Sequence, residues 1–383
     1  MARRLTCGGN PRLRGMTTTP RYRCPVDSET VAVDASAPWC CPRCGGPWDL
    51  EWATAPVPLN SLRTRVNSLW RYEEALPLSA PTVSLGEGRT PLVALTATVS
   101  AKLDFLMPTL SFKDRGAVML AELARRLAPR RVIADSSGNA GTAVAAYCAR
   151  AGLPCSVYVP GATSPKKIEQ IRAHGADLEL VEGDREATAR AARKAADRPG
   201  VFYASHVHNP YFLHGTKTYV YELWEEHGGS LPEVIVVPVG NGTLLLGASL
   251  AIEELYAHGL IPERPALYAV QAAAVSPLAA AFHAGAADLL PETPTAPTLA
   301  EGIAIPRPPR ARQILAAVRA SGGSFLTVTE DEIREAQRDL AARGLFVEST
   351  GVACWAAVRA GALGDRTAVV PLCGAGAKTG MAR

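Results

Sequence analysis

Six short apolar runs, RVIAD (131–135), SVYVP (156–160), LELV (178–181), VIVVP (234–238), LYAV (267–270) and AVVPL (368–372), recur between alanine-rich stretches of helical pattern. Those stretches fall at 139–151, 165–174, 185–197, 243–258, 330–343 and 350–360. Apolar strands without alternation need cover on both faces, and an intervening helix returns the chain so that the next strand runs parallel to the last. The fold class is therefore α/β with mostly parallel sheets. In such sheets ligands bind beyond the carboxyl ends of strands, against helix N-termini. A chain of 383 residues exceeds one core and predicts two domains. The proline-rich stretch 291–309 reads as a long surface connection rather than a boundary.

Residues 1–58 stand apart, with five of the nine cysteines, many prolines and no helical period. Cys41-Pro-Arg-Cys44-Gly-Gly has the form of a zinc knuckle, two thiolates with glycine for the tight turn. Upstream, where a second C-x-x-C is expected, stands Cys24-Pro-Val-Asp27. Three thiolates with Asp27, or with the adjacent Cys40, complete four ligands for structural zinc; a ribbon kept for packing alone is the alternative.

Charge and hydropathy narrow the partners. A formal charge of +4, from 40 basic and 36 acidic residues interspersed, offers no broad face for nucleic acid or an anionic membrane. No apolar stretch is long enough to span a bilayer, and the start, MARRLTCGGNPRLRGMTTTP, lacks the apolar core of a secretory signal. A cytoplasmic address with reduced thiols is expected. Met1 and Met16 both remain open as the start.

Three glycine-marked turns and one lysine carry the chemistry. In VIVVPVGNGTLLLG (234–247) a strand leads through a turn into a helix, and the N–H groups of Gly240, Asn241, Gly242, Thr243 and Leu244 form a cradle for phosphate. The spacing G-x-G-x4-G is not the dinucleotide fingerprint, there is no GK[ST] ending, and Gln271 stands where a ribose-binding acid would be. A second turn sets Ser136, Ser137, Gly138, Asn139 and Ala140 at a helix entrance, suited to a carboxylate and equally to an ordinary N-cap. The third, PLCGAGAKTG (371–380), puts the small neutral thiol of Cys373 at a strand tip. LSFKDRG (110–116) places Lys113 at the mouth of a helix, where a cation opposes the dipole. A neutral amine escapes that penalty, and positive potential with desolvation lowers its pKa. Together these are the parts needed to hold pyridoxal phosphate, whose aldehyde a neutral lysine attacks.

The motifs WRYEEALPL (70–78), SLGEGRTPLV (84–93), SFKDRG (111–116), SSGNAGTAVAAYCARAG (136–152), NPYFLHGTKTYVYEL (209–223), VPVGNGTLLLG (237–247) and LCGAGAKTG (372–380) occur in a family's order. On them the chain resembles the fold-type II, tryptophan synthase beta-like pyridoxal-phosphate enzymes, and within these the threonine synthase family. The resemblance implies two three-layer α/β domains, a large one of 59–104 and 213–383 and a small mobile one of 105–212, after a zinc-ribbon-like module of 1–58. It implies Lys113 as Schiff-base lysine and later acid/base, Asn139 on the cofactor's ring oxygen, and Gly240, Asn241, Gly242, Thr243 and Leu244 on its phosphate. Cys373 would face the pyridine nitrogen where the family has Ser or Thr. Thr109, Ser111, Ser136, Ser137 and Gly138 would border an amino-acid substrate, O-phosphohomoserine in this family, converted with water to threonine and phosphate. A homodimer is implied as well.

The family pattern K-x-E-x-x-N-P-T-G-S-F-K-D-R-G stands here as KLDFLMPTLSFKDRG (102–116), with Phe105, Met107 and Leu110 in place of small or polar residues. Side chains this near the reacting atoms set pocket shape, so β-replacement and serine or threonine dehydration stay open, as does compensated packing. A non-catalytic nucleic-acid-binding relative is the rival from another class. Asp114 and Arg115 are expected to brace the lysine's helix, an anion facing Arg115 being the alternative; Lys217 is expected to be solvated, with reach to a substrate phosphate or carboxylate as its alternative, and His206 and His208 to serve a loop or core. Glu301 falls in a family loop beside the cofactor ring.

Overall fold

The computed structural model describes residues 19–163, 165–359 and 361–382. The basic start, with Cys7 and the alternative initiator Met16, lies outside them. In chain order come β1 (Arg21–Arg23), β2 (Thr30–Ala32), β3 (Asp49–Glu51), β4 (Leu92–Ala94), β5 (Val99–Lys102), α1 (Lys113–Leu127), β6 (Arg131–Ala134) and α2 (Asn139–Ala151). There follow β7 (Cys155–Pro160), α3 (Pro165–Ala173), β8 (Asp177–Val181), α4 (Arg185–Ala196), β9 (Val201–Tyr203), α5 (Tyr211–Thr216), α6 (Thr218–Glu226), β10 (Val234–Pro238) and α7 (Thr243–Ala257). The last strands are β11 (Ala266–Ala272), β12 (Ser324–Val328) and β13 (Ala368–Pro371).

The described residues form three sheets. A six-stranded sheet has the order β12-β11-β10-β13-β5-β4, parallel except for the edge hairpin β4–β5. A four-stranded sheet, β8-β7-β6-β9, is parallel throughout. Every residue of β10 is buried, as its unbroken apolar run requires of a central strand covered on both faces. The third sheet, β2-β1-β3, is antiparallel, and each of its strands has three residues. Its module has no core to itself: Tyr22, Cys24, Cys41 and Trp48 join the apolar cluster of α1, α2 and the four-stranded sheet.

All side chains from Asp114 to Ala124 on α1 are buried, and α1 packs on α2 and α5. That close crossing depends on two glycines. A Cβ at Gly116 would lie 2.4 Å from the Phe212 ring, and one at Gly215 would lie 2.0 Å from the Arg115 carbonyl oxygen. Beneath α1 a charge network is shut away from water. Arg115 donates to Asp104 at 2.8 and 2.9 Å and to Glu222 at 2.6 and 2.9 Å, while Lys102 pairs with Glu222 at 3.0 Å and Glu226 at 2.7 Å. Arg115 thus braces the helix that begins with Lys113, as expected, and its donors are taken up by carboxylates of the protein.

Candidate active site

The carboxyl ends of β6, β10 and β13 open toward the start of α1, because α1 enters from the segment that bridges to the tip of β13. Ser111 pairs with Gly374 in an isolated bridge, and Phe112 N donates to the Cys373 carbonyl at 3.0 Å. Lys113 and Cys373, far apart in sequence, are therefore neighbours. The Lys113 Nζ lies 4.2 Å from the centroid of the Phe112 ring and 6.0 Å from that of Phe212. Burial against these rings pushes its pKa from 10.5 down to about 8, with Arg185 pushing the same way and Cys373 and Glu348 opposing. Desolvation prevails over the nearby acids. A substantial fraction of the amine is neutral near pH 8.

The strand–turn–helix at 234–257 has the form its sequence predicts. After β10 the chain bends through Gly240 and Gly242, the latter at φ +75, and α7 begins at Thr243. The first N–H groups of that helix have no partner within it. A Cβ at Gly240 would come within 2.9 Å of the Ile303 Cα, so the end of the proline-rich connection closes over the turn. Glu301, two residues earlier, is exposed. Asn241 Nδ2 stands 3.4 Å from His206 Nε2, and the His206 ring packs edge-on against Phe212 at 5.8 Å. Burial, with Lys113 and Arg185 nearby, holds His206 neutral, well below the usual histidine range. His206 and Lys113 thus share the Phe212 ring, whereas His208 bonds Ser205 Oγ at 3.1 Å and packs on Trp39.

The 136–139 turn ends β6, and Ser136 Oγ accepts from Gly138 N at 3.4 Å. Asn139 opens α2 with its side-chain amide held at both ends. Its Oδ1 accepts from Lys378 Nζ at 2.8 Å, and its Nδ2 donates to Glu348 Oε1 at 3.0 Å and Oε2 at 3.2 Å. An ammonium only donates and a carboxylate only accepts, so the amide has one workable orientation. Lys378 also donates to the Thr109 carbonyl at 2.7 Å. Sequence pattern marks neither Glu348 nor Lys378 as a site residue: Glu348 is a single acid in a loop, and Lys378 lies in the glycine-rich segment after Cys373 with no spacing of its own.

The hydroxyls bordering this space differ in availability. Thr109 binds Asp114 through Oγ1 and through its N–H at 2.7 Å, and that buried carboxyl is pushed up to about 7 by desolvation. The Thr109 hydroxyl is thus engaged in bracing Asp114. Ser111 Oγ, by contrast, is buried with no hydrogen-bond partner among the described residues. Burial keeps the Cys373 thiol neutral, far above its ordinary pKa. Lys217 corrects the expectation of a solvated side chain, for it is fully buried and paired with Glu254 at 2.7 Å.

These features fit pyridoxal phosphate: a phosphate cradle closed by Ile303, an amine of depressed pKa, an orphaned buried hydroxyl and a neutral thiol at a strand end. The chain belongs to the pyridoxal-phosphate dependent enzyme family, which residues 83–374 match. Within it, the relatives include threonine synthases. The chain is 31% identical to that of Methanosarcina acetivorans over 83% of this chain and 81% of the relative. It is 33% identical to that of Methanocaldococcus jannaschii, covering 85% and 84%. The maize serine racemase structure shares the fold at TM-score 0.64 and 20% identity, over 75% of this chain and 88% of that one. The protein is thus a pyridoxal-phosphate-dependent lyase of the threonine synthase-like kind.

In the N-terminal module, Cys24, Asp27, Cys41 and Cys44 each offer a ligand atom, all within 4.8 Å of one another. Asp27, rather than the adjacent Cys40, completes this set.

Proposed function

We propose that the protein converts O-phosphohomoserine and water to threonine and phosphate, with pyridoxal phosphate held on Lys113. The observation that carries the reading is the meeting of the Lys113 amine, its pKa lowered to about 8, with a phosphate turn and a neutral strand-end thiol. The cofactor, when bound, supplies the electron sink that makes protons on the substrate's carbons acidic. Gly240, Asn241, Gly242, Thr243 and Leu244 would take its phosphate, Asn139 its ring oxygen, and Cys373 would face its ring nitrogen without protonating it. Ser136, Ser137 and Gly138 would receive the substrate carboxylate, and Ser111 Oγ is the donor left for substrate. Lys113 then removes and returns protons at the substrate carbons.

Liquid-chromatographic product profiling tests this reading. Purified enzyme should release phosphate and threonine from O-phosphohomoserine; turnover of another O-acyl or O-phospho amino acid alone would reject that substrate. A second reading, a β-replacement or dehydratase substrate, draws on Leu110, which holds a φ of +62 where the family pattern has glycine.

The domain division at 59–104 with 213–383 and at 105–212, a homodimer in the cytoplasm, and structural zinc on Cys24, Asp27, Cys41 and Cys44 complete the proposal. Among the described residues no helix is long and apolar enough to cross a membrane.

A further inference from the structure

The N-terminal sheet needs support from elsewhere, because three strands of three residues cannot hold themselves together. Its loops are arranged to be closed from outside. Cys24 Sγ lies 3.5 Å from Cys44 Sγ, and Cys41 Sγ lies 3.3 Å from Asp27 Oδ2. Bonds of about 2.0–2.3 Å to a tetrahedral zinc ion set ligand edges of roughly 3.3–3.8 Å, which these distances match. Val26 N and Gly46 N each donate to a sulfur at 3.4 Å, the Cys24 and Cys44 Sγ respectively, supporting thiolates. Three soft sulfur donors favour zinc over calcium or magnesium.

From this knot, contacts run to one turn of the catalytic body. Trp48 N donates to the His208 carbonyl at 3.1 Å, and Asn209 Nδ2 donates to Tyr22 Oη at 3.3 Å. Trp39 packs on the His208 ring at 5.0 Å and donates from Nε1 to Asp197 at 2.9 Å. Arg310, buried, fastens the same turn from the other side. Its Nε donates to the Val207 carbonyl at 2.8 Å, its Nη2 to the Trp48 carbonyl, and its Nη1 pairs with Asp49 at 2.7 Å. Within the clamped turn, His206 faces Asn241 of the phosphate turn.

We propose that the metal-closed N-terminal sheet is a splint for the 205–209 turn, so that zinc bound to Cys24, Asp27, Cys41 and Cys44 sets the affinity of the phosphate cradle for pyridoxal phosphate. This rests on the zinc reading above. Metal loss frees the sheet, the carbonyls of Val207 and His208 lose fixed donors, and His206 no longer backs Asn241. A small local disorder then weakens cofactor binding although no zinc ligand touches the cofactor.

The test measures zinc per chain by elemental mass spectrometry and cofactor affinity by visible absorbance, on the full chain. Native protein should carry about one zinc, and Cys44→Ser should lose it and bind pyridoxal phosphate about tenfold more weakly. Arg310→Met should keep zinc and weaken cofactor binding in the same direction but by less, since it cuts one link to the turn, leaves those from Trp48, Trp39 and Tyr22, and spares the knot; unchanged affinity in Arg310→Met would contradict the splint. Zinc returned to chelator-stripped native protein should restore affinity, which separates the effect from misfolding. Zinc loss with unchanged cofactor affinity overturns the splint and leaves the metal site standing. Native protein purified without chelator and carrying no zinc overturns the metal site itself.

Discussion

The Glu348 carboxylate accepts from the Asn139 side-chain amide at 3.0 and 3.2 Å, tying the loop of Glu348, whose N–H donates to the Gly374 carbonyl at 2.9 Å, to the first residue of α2. The pair lies 209 residues apart in sequence and aims one amide at the space beside Lys113. Asn139→Ala removes one hydrogen bond to the cofactor and the clamp on Lys378. Pyridoxal phosphate affinity should fall about tenfold or more, read by absorbance titration of the apoenzyme. An unchanged dissociation constant would take Asn139 out of the cofactor site.

Covalent uptake of the cofactor requires a neutral amine at Lys113. Its pKa is lowered to about 8, so the uptake rate should rise with pH through about 8 and level off above. Glu348 raises that pKa and Arg185 lowers it. Glu348→Gln should therefore move the midpoint down, and Arg185→Gln should move it up. Stopped-flow absorbance across a pH series checks both signs. A common midpoint for all three proteins would contradict the electrostatic account.

Arg115 holds Asp104 and Glu222 in a place without water, and both carboxylates are fully buried. Arg115→Met leaves the buried Asp104 without a cation and Glu222 with Lys102 alone, which costs about 3–5 kcal/mol of stability. Urea unfolding should show that loss; a change under about 1 kcal/mol would mean that water or protonation compensates.

Leu110 sits at φ +62, a conformation that costs a branched side chain roughly 1–2 kcal/mol relative to the right-handed region. With 39% of its surface exposed, Leu110 contributes little burial in return. Leu110→Gly should leave stability unchanged or raise it by up to about 1 kcal/mol, measured by thermal unfolding. A loss beyond that range would show that the leucine packs where the fold needs it. The same variant should broaden the range of amino acids turned over.

Much of the architecture was readable because parallel strands are compact apolar runs. The runs at 234–238 and the helix at 139–151 match β10 and α2 at both ends. The strands that escaped notice are of other kinds. The Ser324–Val328 run of β12 carries polar residues, and β1, β2, β3, β4, β5 and β9, of three or four residues each, are too short to show a period. At the site, residues in glycine-marked turns were legible because backbone geometry demands them. Glu348 and His206 were not, since only the fold brings a lone acid and a loop histidine against Asn139 and Asn241. Lys217 misled for the opposite reason: an early helical position suggested solvent, and Glu254, 37 residues later, neutralises it inside the protein.

The most direct test is where pyridoxal phosphate attaches. Borohydride reduction of the loaded enzyme, followed by peptide mass mapping, should place a single phosphopyridoxyl group on the peptide containing Lys113, and Lys113→Ala should abolish it. Label on Lys102, Lys217 or Lys378 instead, or no label from a protein that has bound the cofactor, would contradict the account.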